Sequence, residues 1–302
     1  MGYHFVPQRY LRNFENPSRP GFIWLHDKRG GPPRLARIAK VAQAKGFYSA
    51  ETEASLARDV ETPGNTVIRK LTGDTAITPV ERLQLAYYIG VMLKRIPARR
   101  RRSAEMIPGV LADVVEKVRE QLKAIAHTVQ ADPDLLARRL REVDAAGRKF
   151  ALQPPPEVLE QIREPWPSEG MLGALFGMTW RILVSRGPQF FITTDNPAFF
   201  FRAYGLAGEE AELAFPLSTT HALHGSWRME RSDLVFLKAT QTIVKEINRR
   251  LASDTERVAF YHKLAPWLLT ILPKKEPYLS VIRWPNEPPN NRFHRTALTH
   301  RR

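Results

Sequence analysis

The chain has no cysteine among its 302 residues. Disulfide staples, thiolate chemistry and cysteine-ligated zinc are therefore excluded. No apolar run approaches the ~20 residues that a membrane helix needs, and no charged-then-apolar leader opens the sequence, which predicts a cytoplasmic protein with no membrane partner. Several catalytic signatures are missing as well. There is no glycine-rich loop ending in Lys-Ser/Thr, no His-Glu-x-x-His, no dinucleotide fingerprint and no Gly-x-Ser-x-Gly, so kinase, P-loop ATPase, zinc-protease and simple hydrolase chemistry find no direct support. Acidic residues are scarce beside basic ones: 31 Asp and Glu face 46 Lys and Arg, a formal net charge of +15. That excess either favours a polyanionic partner such as nucleic acid or is spread over solvated faces by an arginine-preferring genome.

The remaining composition, 43% hydrophobic and 25% charged, is ordinary for a soluble globular protein with a sizeable core. Basic residues gather at Lys94-Arg95 and Arg99 to Arg102, at Lys274-Lys275, and in a tail carrying Arg292, Arg295, Arg301 and Arg302. Pro289 to Ala297 resembles the peptide made when an integron cassette gene reads through into its recombination site. The expected organisation is one integrated domain over residues 1–286, followed by a disordered basic tail over 287–302 that records DNA sequence rather than selected protein. Without the tail the protein remains basic.

Along the chain, Phe22 to His26 reads as a strand and Asp27 to Pro33 as a turn, within a small antiparallel β-unit over 20–48. From Glu51 the pattern turns helical, interrupted at Pro63-Gly64. Thr78, Pro79 and Glu81 form a capping-box helix start, and the run to Leu93 is apolar around much of its circumference, as in a central helix. Amphipathic helices follow over 103–127 and 133–146, until Pro154-Pro155-Pro156 breaks the chain. Residues 171–184 read as a buried helix. Short strands are expected at 190–194, 198–201, 212–217, 221–227 and 234–237, then helices at 240–251 and 254–262. The fold class is α+β, a largely helical middle with short antiparallel strands near both ends, and the early β-unit and the later strands are expected to share one sheet.

The first fourteen residues carry unusual specificity for a chain end. If the stretch from Pro7 is helical, His4, Gln8 and Arg12 converge on one point, because spacings of four return to one helix face. Glu53 and Glu61 are eight apart, near two helical turns, and share a face. Asp195-Asn196-Pro197 follows an apolar strand. Its carboxylate is either a metal ligand or general base held at a strand end, or the first residue of an Asx turn. His4 is a general base, a ligand or a packed structural imidazole. Arg12 and Arg95 are phosphate clamps or internal partners of Glu53 and Glu61.

His4-Phe5-Val6-Pro7-Gln8-Arg9-Tyr10-Leu11-Arg12-Asn13-Phe14 is similar to the opening of a bacterial family, domain of unknown function 4238. That family begins His-x-Val-Pro-Gln-x-Tyr-Leu, with a basic residue before a Phe. Gly46-Phe47-Tyr48, Glu53 and Glu61, Arg95-Ile96-Pro97, Phe191 to Pro197, Phe215 to Ser218 and Asn248 follow in family-like order. The resemblance spans residues 3–262, with Thr194 where Ser is expected and Thr219 where Pro often stands. Some members resemble genes that travel with bacteriophage-defence loci.

Three functions remain open. In the leading one the protein binds or cleaves nucleic acid. Asp195 with Glu53 or Glu61 would hold Mg²⁺, His4 would move a proton, and Gln8, Arg12, Arg95 and Asn196 would contact substrate. The alternatives are a non-catalytic binding module whose motifs are structural, and a small-molecule or nucleotide enzyme with an incidental basic surface. Whether His4, Gln8, Arg12, Glu53, Arg95 and Asp195 meet in one cleft decides among them.

Overall fold

The computed structural model describes residues 2–45, 49–201, 205–229 and 233–272. Gly46-Phe47-Tyr48, Lys274-Lys275 and the tail lie outside the described residues. The architecture is α+β, as the sequence predicts. Contacts divide it into two compact units, one built from Pro97–Pro165 and the other from the rest of the described chain. No described helix is long and apolar enough to cross a membrane.

The larger unit holds three sheets. Strand β1 (Gly2–His4) pairs antiparallel with β4 (Gln43–Lys45), placing His4 opposite Gln43. A four-stranded antiparallel sheet runs β3 (Arg34–Arg37), β2 (Phe22–Asp27), β11 (Val258–Tyr261), β6 (Thr193–Thr194). The early β-unit and the late strands therefore share a sheet. A five-stranded sheet runs β10 (Val235–Lys238), β5 (Thr179–Val184), β9 (His221–Ser226), β8 (Glu212–Pro216), β7 (Phe199–Phe200), parallel only between β10 and β5.

The helices begin with the short α1 (Gln8–Leu11). One continuous helical run then joins α2 (Ala50–Ser55), a π-helical segment (Leu56–Glu61) and α3 (Thr62–Thr72). Pro63-Gly64 does not interrupt it. Pro63 lies just after the π turn, where the helical ladder is already irregular and a missing N–H is accommodated. A Cβ on Gly64 would lie 2.5 Å from the Tyr88 ring, so glycine is there to let α3 approach α4 (Pro79–Lys94). Helix α4 starts with the expected capping box of Thr78 and Glu81 and buries Leu85, Ala86, Tyr88, Ile89, Val91, Met92 and Leu93.

Two elements differ from the sequence reading. Residues 171–184 split into α8 (Glu169–Gly177) and β5. The break is set by Trp227, whose ring leaves 2.7 Å for a Cβ at Gly177, and by Arg82, whose guanidinium donates to the Phe176 and Met178 carbonyls and so caps the helix's negative end. Residues 254–262 hold strand β11, because α9 (Gln241–Asp254) runs on to Asp254 and the apolar run after it is too short for a helix. Phe190 to Ile192 lie outside the ladder. Asn248 of α9 satisfies them, accepting from the Ile192 N–H at 3.0 Å and donating to the Phe190 carbonyl at 2.8 Å.

The smaller unit comprises α5 (Pro97–Thr128), α6 (Pro133–Leu152) and α7 (Pro156–Arg163). Arg99 to Arg102 fall in the first turns of α5. Arg119 grips both oxygens of Asp144 at 2.6 and 2.7 Å, and Gly147 of α6 packs on Val115 of α5.

Candidate functional site

The N-terminal segment is tied down on one face and open on the other. Val6, Tyr10, Leu11 and Phe14 are completely buried. The Tyr10 hydroxyl donates to the Pro216 carbonyl at 2.8 Å, which leaves the Thr193 hydroxyl, at 3.0 Å, to donate back. Burial raises the Tyr10 pKa, so the phenol stays protonated. Its ring stacks on Phe215, with centroids 5.3 Å apart, and the Thr219 N–H donates to the Asn13 carbonyl at 3.3 Å. Three segments distant in sequence, around Tyr10, Thr193 and Pro216, thus meet at one phenolic oxygen.

On the opposite face, His4, Pro7, Gln8, Arg9, Arg12, Glu53 and Glu61 line a recess of about 280 Å³. β1 fixes the His4 backbone, while α1 and the turn after it return Gln8 and Arg12 to the same side. Glu53 and Glu61 meet there for a reason not visible in helical periodicity. Eight residues overshoot two α-turns of 3.6, and the wider π turn at Leu56–Glu61 absorbs the excess.

Arg95, 1% exposed at the end of α4, anchors the recess from inside. It donates to Glu61 Oε1 at 2.6 Å and to the His4 carbonyl. Its guanidinium is therefore an internal partner and not an exposed phosphate clamp. Arg9 and Arg12, by contrast, make no ion pair with the described residues and lie on the recess wall. Arg9 carried no signal in the sequence beyond its charge.

Two buried atoms at this wall have no hydrogen-bond partner among the described residues, His4 Nε2 and Glu53 Oε2. Burial lowers the His4 pKa, helped by Arg95, while the Ala39 backbone and Glu61 pull the other way. Burial raises the Glu53 pKa; Arg95 opposes the shift and the like charge of Glu61 adds to it. Gln8 Nε2 lies 3.5 Å from His4 Nδ1. Which of the two donates is set by the imidazole tautomer. The arrangement places an imidazole, a carboxylate and two guanidinium groups without an ion pair among the described residues around one small concavity, which suits proton transfer beside an anion.

Asp195 and Asn196 do not join this group. Asp195 follows β6 and accepts from the N–H groups of Glu256 (3.0 Å), Arg257 (2.7 Å) and Val258 (2.9 Å), pinning the turn between α9 and β11. All three neighbours are donors, so the ionised carboxyl is the form that fits. Burial pushes it up to about 6 against their pull. The Asn196 amide donates to the backbone and side chain of Asp254. The expected sharing of a metal by Asp195 with Glu53 or Glu61 lacks its geometry, because the Asp195 oxygens are spent on backbone. Among the described residues no group of three or more His, Asp or Glu side chains is placed to hold a metal ion.

A second ionic cluster gave no sequence signal. Glu212 of β8, 2% exposed, bonds Arg250 of α9 at 2.7 Å, His224 of β9 at 3.3 Å and Arg228. Burial pushes the Glu212 carboxyl up, but Arg250, His224 and Arg228 outweigh it and hold it down at about 2. The i, i+4 pair Glu246 and Arg250, 3.4 Å apart on α9, was the one trace such a network leaves in sequence.

No match was found for the chain among curated proteins or among solved structures. A family model, however, matches residues 3–264, a span that takes in the pinned terminus, the recess and the Asp195 turn, and on this the chain belongs to the family described as Protein of unknown function (DUF4238).

Proposed function

We propose that this protein binds nucleic acid and cleaves its phosphodiester backbone at the recess, in the cytoplasm. One observation carries the reading: a histidine and two carboxylates share a concavity with Arg9 and Arg12, neither of which has an ionic partner among the described residues. A guanidinium without an internal carboxylate is free to take a phosphate, with forked donors matching paired oxygens. The net charge of +15 supports the approach of a polyanion. His4 and Glu53 then supply the proton transfers that phosphoester cleavage requires. Gln8 orients the imidazole, Arg12 holds phosphate, and Arg95 with Glu61 keeps the wall in place. Asp195 and Asn196 are structural in this reading.

The test is incubation of the purified protein with labelled RNA and DNA, with and without Mg²⁺. Cleavage is expected from wild type and lost in His4→Ala. Equal cleavage by both proteins, or none by either, contradicts the reading. A non-catalytic binding module is the second reading, favoured by the packing of the Tyr10, Thr193 and Pro216 segments into one buried contact. It predicts salt-dependent binding without turnover.

A further inference from the structure

We infer that the recess is a metal-independent, RNA-specific site, in which the substrate's own 2′-hydroxyl is the nucleophile. The inference rests on the reading of the recess as a nuclease site and narrows its substrate to RNA. Its geometric basis is the donor and acceptor inventory of the wall. Metal-assisted cleavage needs a cage of hard oxygen ligands. Here Glu61 is committed to Arg95 at 2.6 Å, and Asp195 is bound to three backbone N–H groups elsewhere. What remains at the recess is one carboxylate and one imidazole, each with a buried atom that lacks a partner. Unbonded buried polar atoms are costly and rare in native folds. The carboxylate and the imidazole belong to residues that line one small concavity, and the two can serve as general base and general acid.

The roles follow from the two groups' chemistry. Glu53, a carboxylate, is the base; His4, protonated and so carrying N–H on both ring nitrogens, is the acid, with the Gln8 amide turning its oxygen toward Nδ1. Both atoms are covered in the unliganded protein, and the step requires each side chain to turn into the recess that its residue lines. The step balances without a co-reactant. Glu53 takes the proton from the ribose 2′-hydroxyl as the 2′-oxygen bonds phosphorus. The bond from phosphorus to the 5′-oxygen breaks, and protonated His4 delivers its Nε2 proton to that leaving oxygen. The products are a 2′,3′-cyclic phosphate and a 5′-hydroxyl. Arg9 and Arg12 face the phosphate oxygens. Deoxyribose has no 2′-hydroxyl and cannot enter this step.

The groups facing the pair are Arg95 and Glu61 from inside and Arg9 and Arg12 from the rim. With the Glu53 pKa above its ordinary 4.5 and the His4 pKa below its ordinary 6.5, the rate rises as Glu53 ionises and falls as His4 loses its proton. The profile is a narrow bell on the acid side of neutrality.

The experiment uses the full chain with three oligonucleotides of one sequence, as RNA, as 2′-O-methyl RNA and as DNA, each in EDTA and in Mg²⁺. The expected result is cleavage of RNA alone, undiminished by EDTA, with cyclic-phosphate ends. Glu53→Gln and His4→Gln should each slow it at least a hundredfold while retaining a cooperative melting transition. Cleavage that needs Mg²⁺, or that proceeds equally on DNA or 2′-O-methyl RNA, overturns the inference and leaves the nuclease reading standing. Absence of binding and cleavage on all three substrates overturns both. Should a Gln variant fail to fold, the bell-shaped pH profile of the wild type carries the test, and a rate that is flat between pH 4.5 and 6.5 overturns the role assignment.

Discussion

The recess and the Glu212 cluster are made from the same three side chains, glutamate, histidine and arginine, and come out opposite in character. At Glu212 two guanidinium groups and an imidazole converge on one carboxylate, and α9 and the five-stranded sheet close over it. Charge there is balanced by direct bonds. At the recess one arginine serves two glutamates, is spent on Glu61 and on a backbone carbonyl, and leaves Glu53 Oε2 and His4 Nε2 unbonded. What separates the two is whether each carboxylate oxygen has its own donor. Both oxygens of Glu212 are bonded to guanidinium groups, which leaves little for a ligand; Glu53 keeps one oxygen unbonded among the described residues and retains the capacity to bind or to move protons.

The sharpest way to break this contrast is at Glu212. Glu212→Ala leaves buried Arg250 with the longer contact to Glu246 and should cost about 3–5 kcal/mol of stability, read by denaturant unfolding, with cleavage per folded molecule unchanged. The stabilisation also has a pH signature. Because the folded-state pKa is lowered to about 2, it is present above the ordinary 4.5 and lost as pH falls from there toward 2. Loss of cleavage in the folded fraction would mean that the saturated cluster also serves the reaction.

Asp195→Asn tests the other polar motif. The amide has one acceptor where the carboxylate offers two, and its NH₂ faces backbone N–H donors, so a loss of about 1–3 kcal/mol is expected, measured by thermal unfolding. Smaller still is the effect of Glu53→Gln on stability, where the sign inverts. A raised folded-state pKa makes the wild type lose stability as pH rises above 4.5, since ionising Glu53 in the fold is unfavourable. The glutamine variant lacks that loss, and its melting temperature at pH 7 should equal or exceed that of the wild type. His4 acts in the opposite sense, its lowered pKa withdrawing stability as pH falls below 6.5. The smallest effect belongs to Arg12→Ala, which should weaken nucleic-acid binding alike for all sequences and reduce the salt slope by about one, measured by fluorescence anisotropy across salt concentrations.

Much of the recess was legible before any coordinates. The spacing of four among His4, Gln8 and Arg12 is a one-turn relation, and local geometry decides it. Glu53 and Glu61 were legible in outcome but not in cause, since no periodicity rule anticipates a π turn that realigns them. Arg95 was recognisable as important, while its direction depended on tertiary packing. Asp195 shows where sequence reasoning runs out. An Asx-type structural carboxylate and a catalytic one share local chemistry, and the difference lies in three N–H groups sixty residues further on. Residues 171–184 and 254–262 were misread because short apolar runs have no length to separate helix from strand. The tertiary partners that decide them, Trp227 on Gly177 and Asp195 on the β11 entry, are distant in the chain. The Glu212 network was nearly silent because Glu212, His224 and Arg250, which meet at its centre, come from three different elements.

The most direct measurement is a paired one. Wild type, His4→Gln and Asp195→Asn are assayed for RNA cleavage at a temperature well below all three melting transitions. The account predicts that His4→Gln is folded and inactive, while Asp195→Asn is less stable and fully active. An active His4→Gln beside an inactive, folded Asp195→Asn would move the chemistry from the recess to the β6–β11 turn and contradict it.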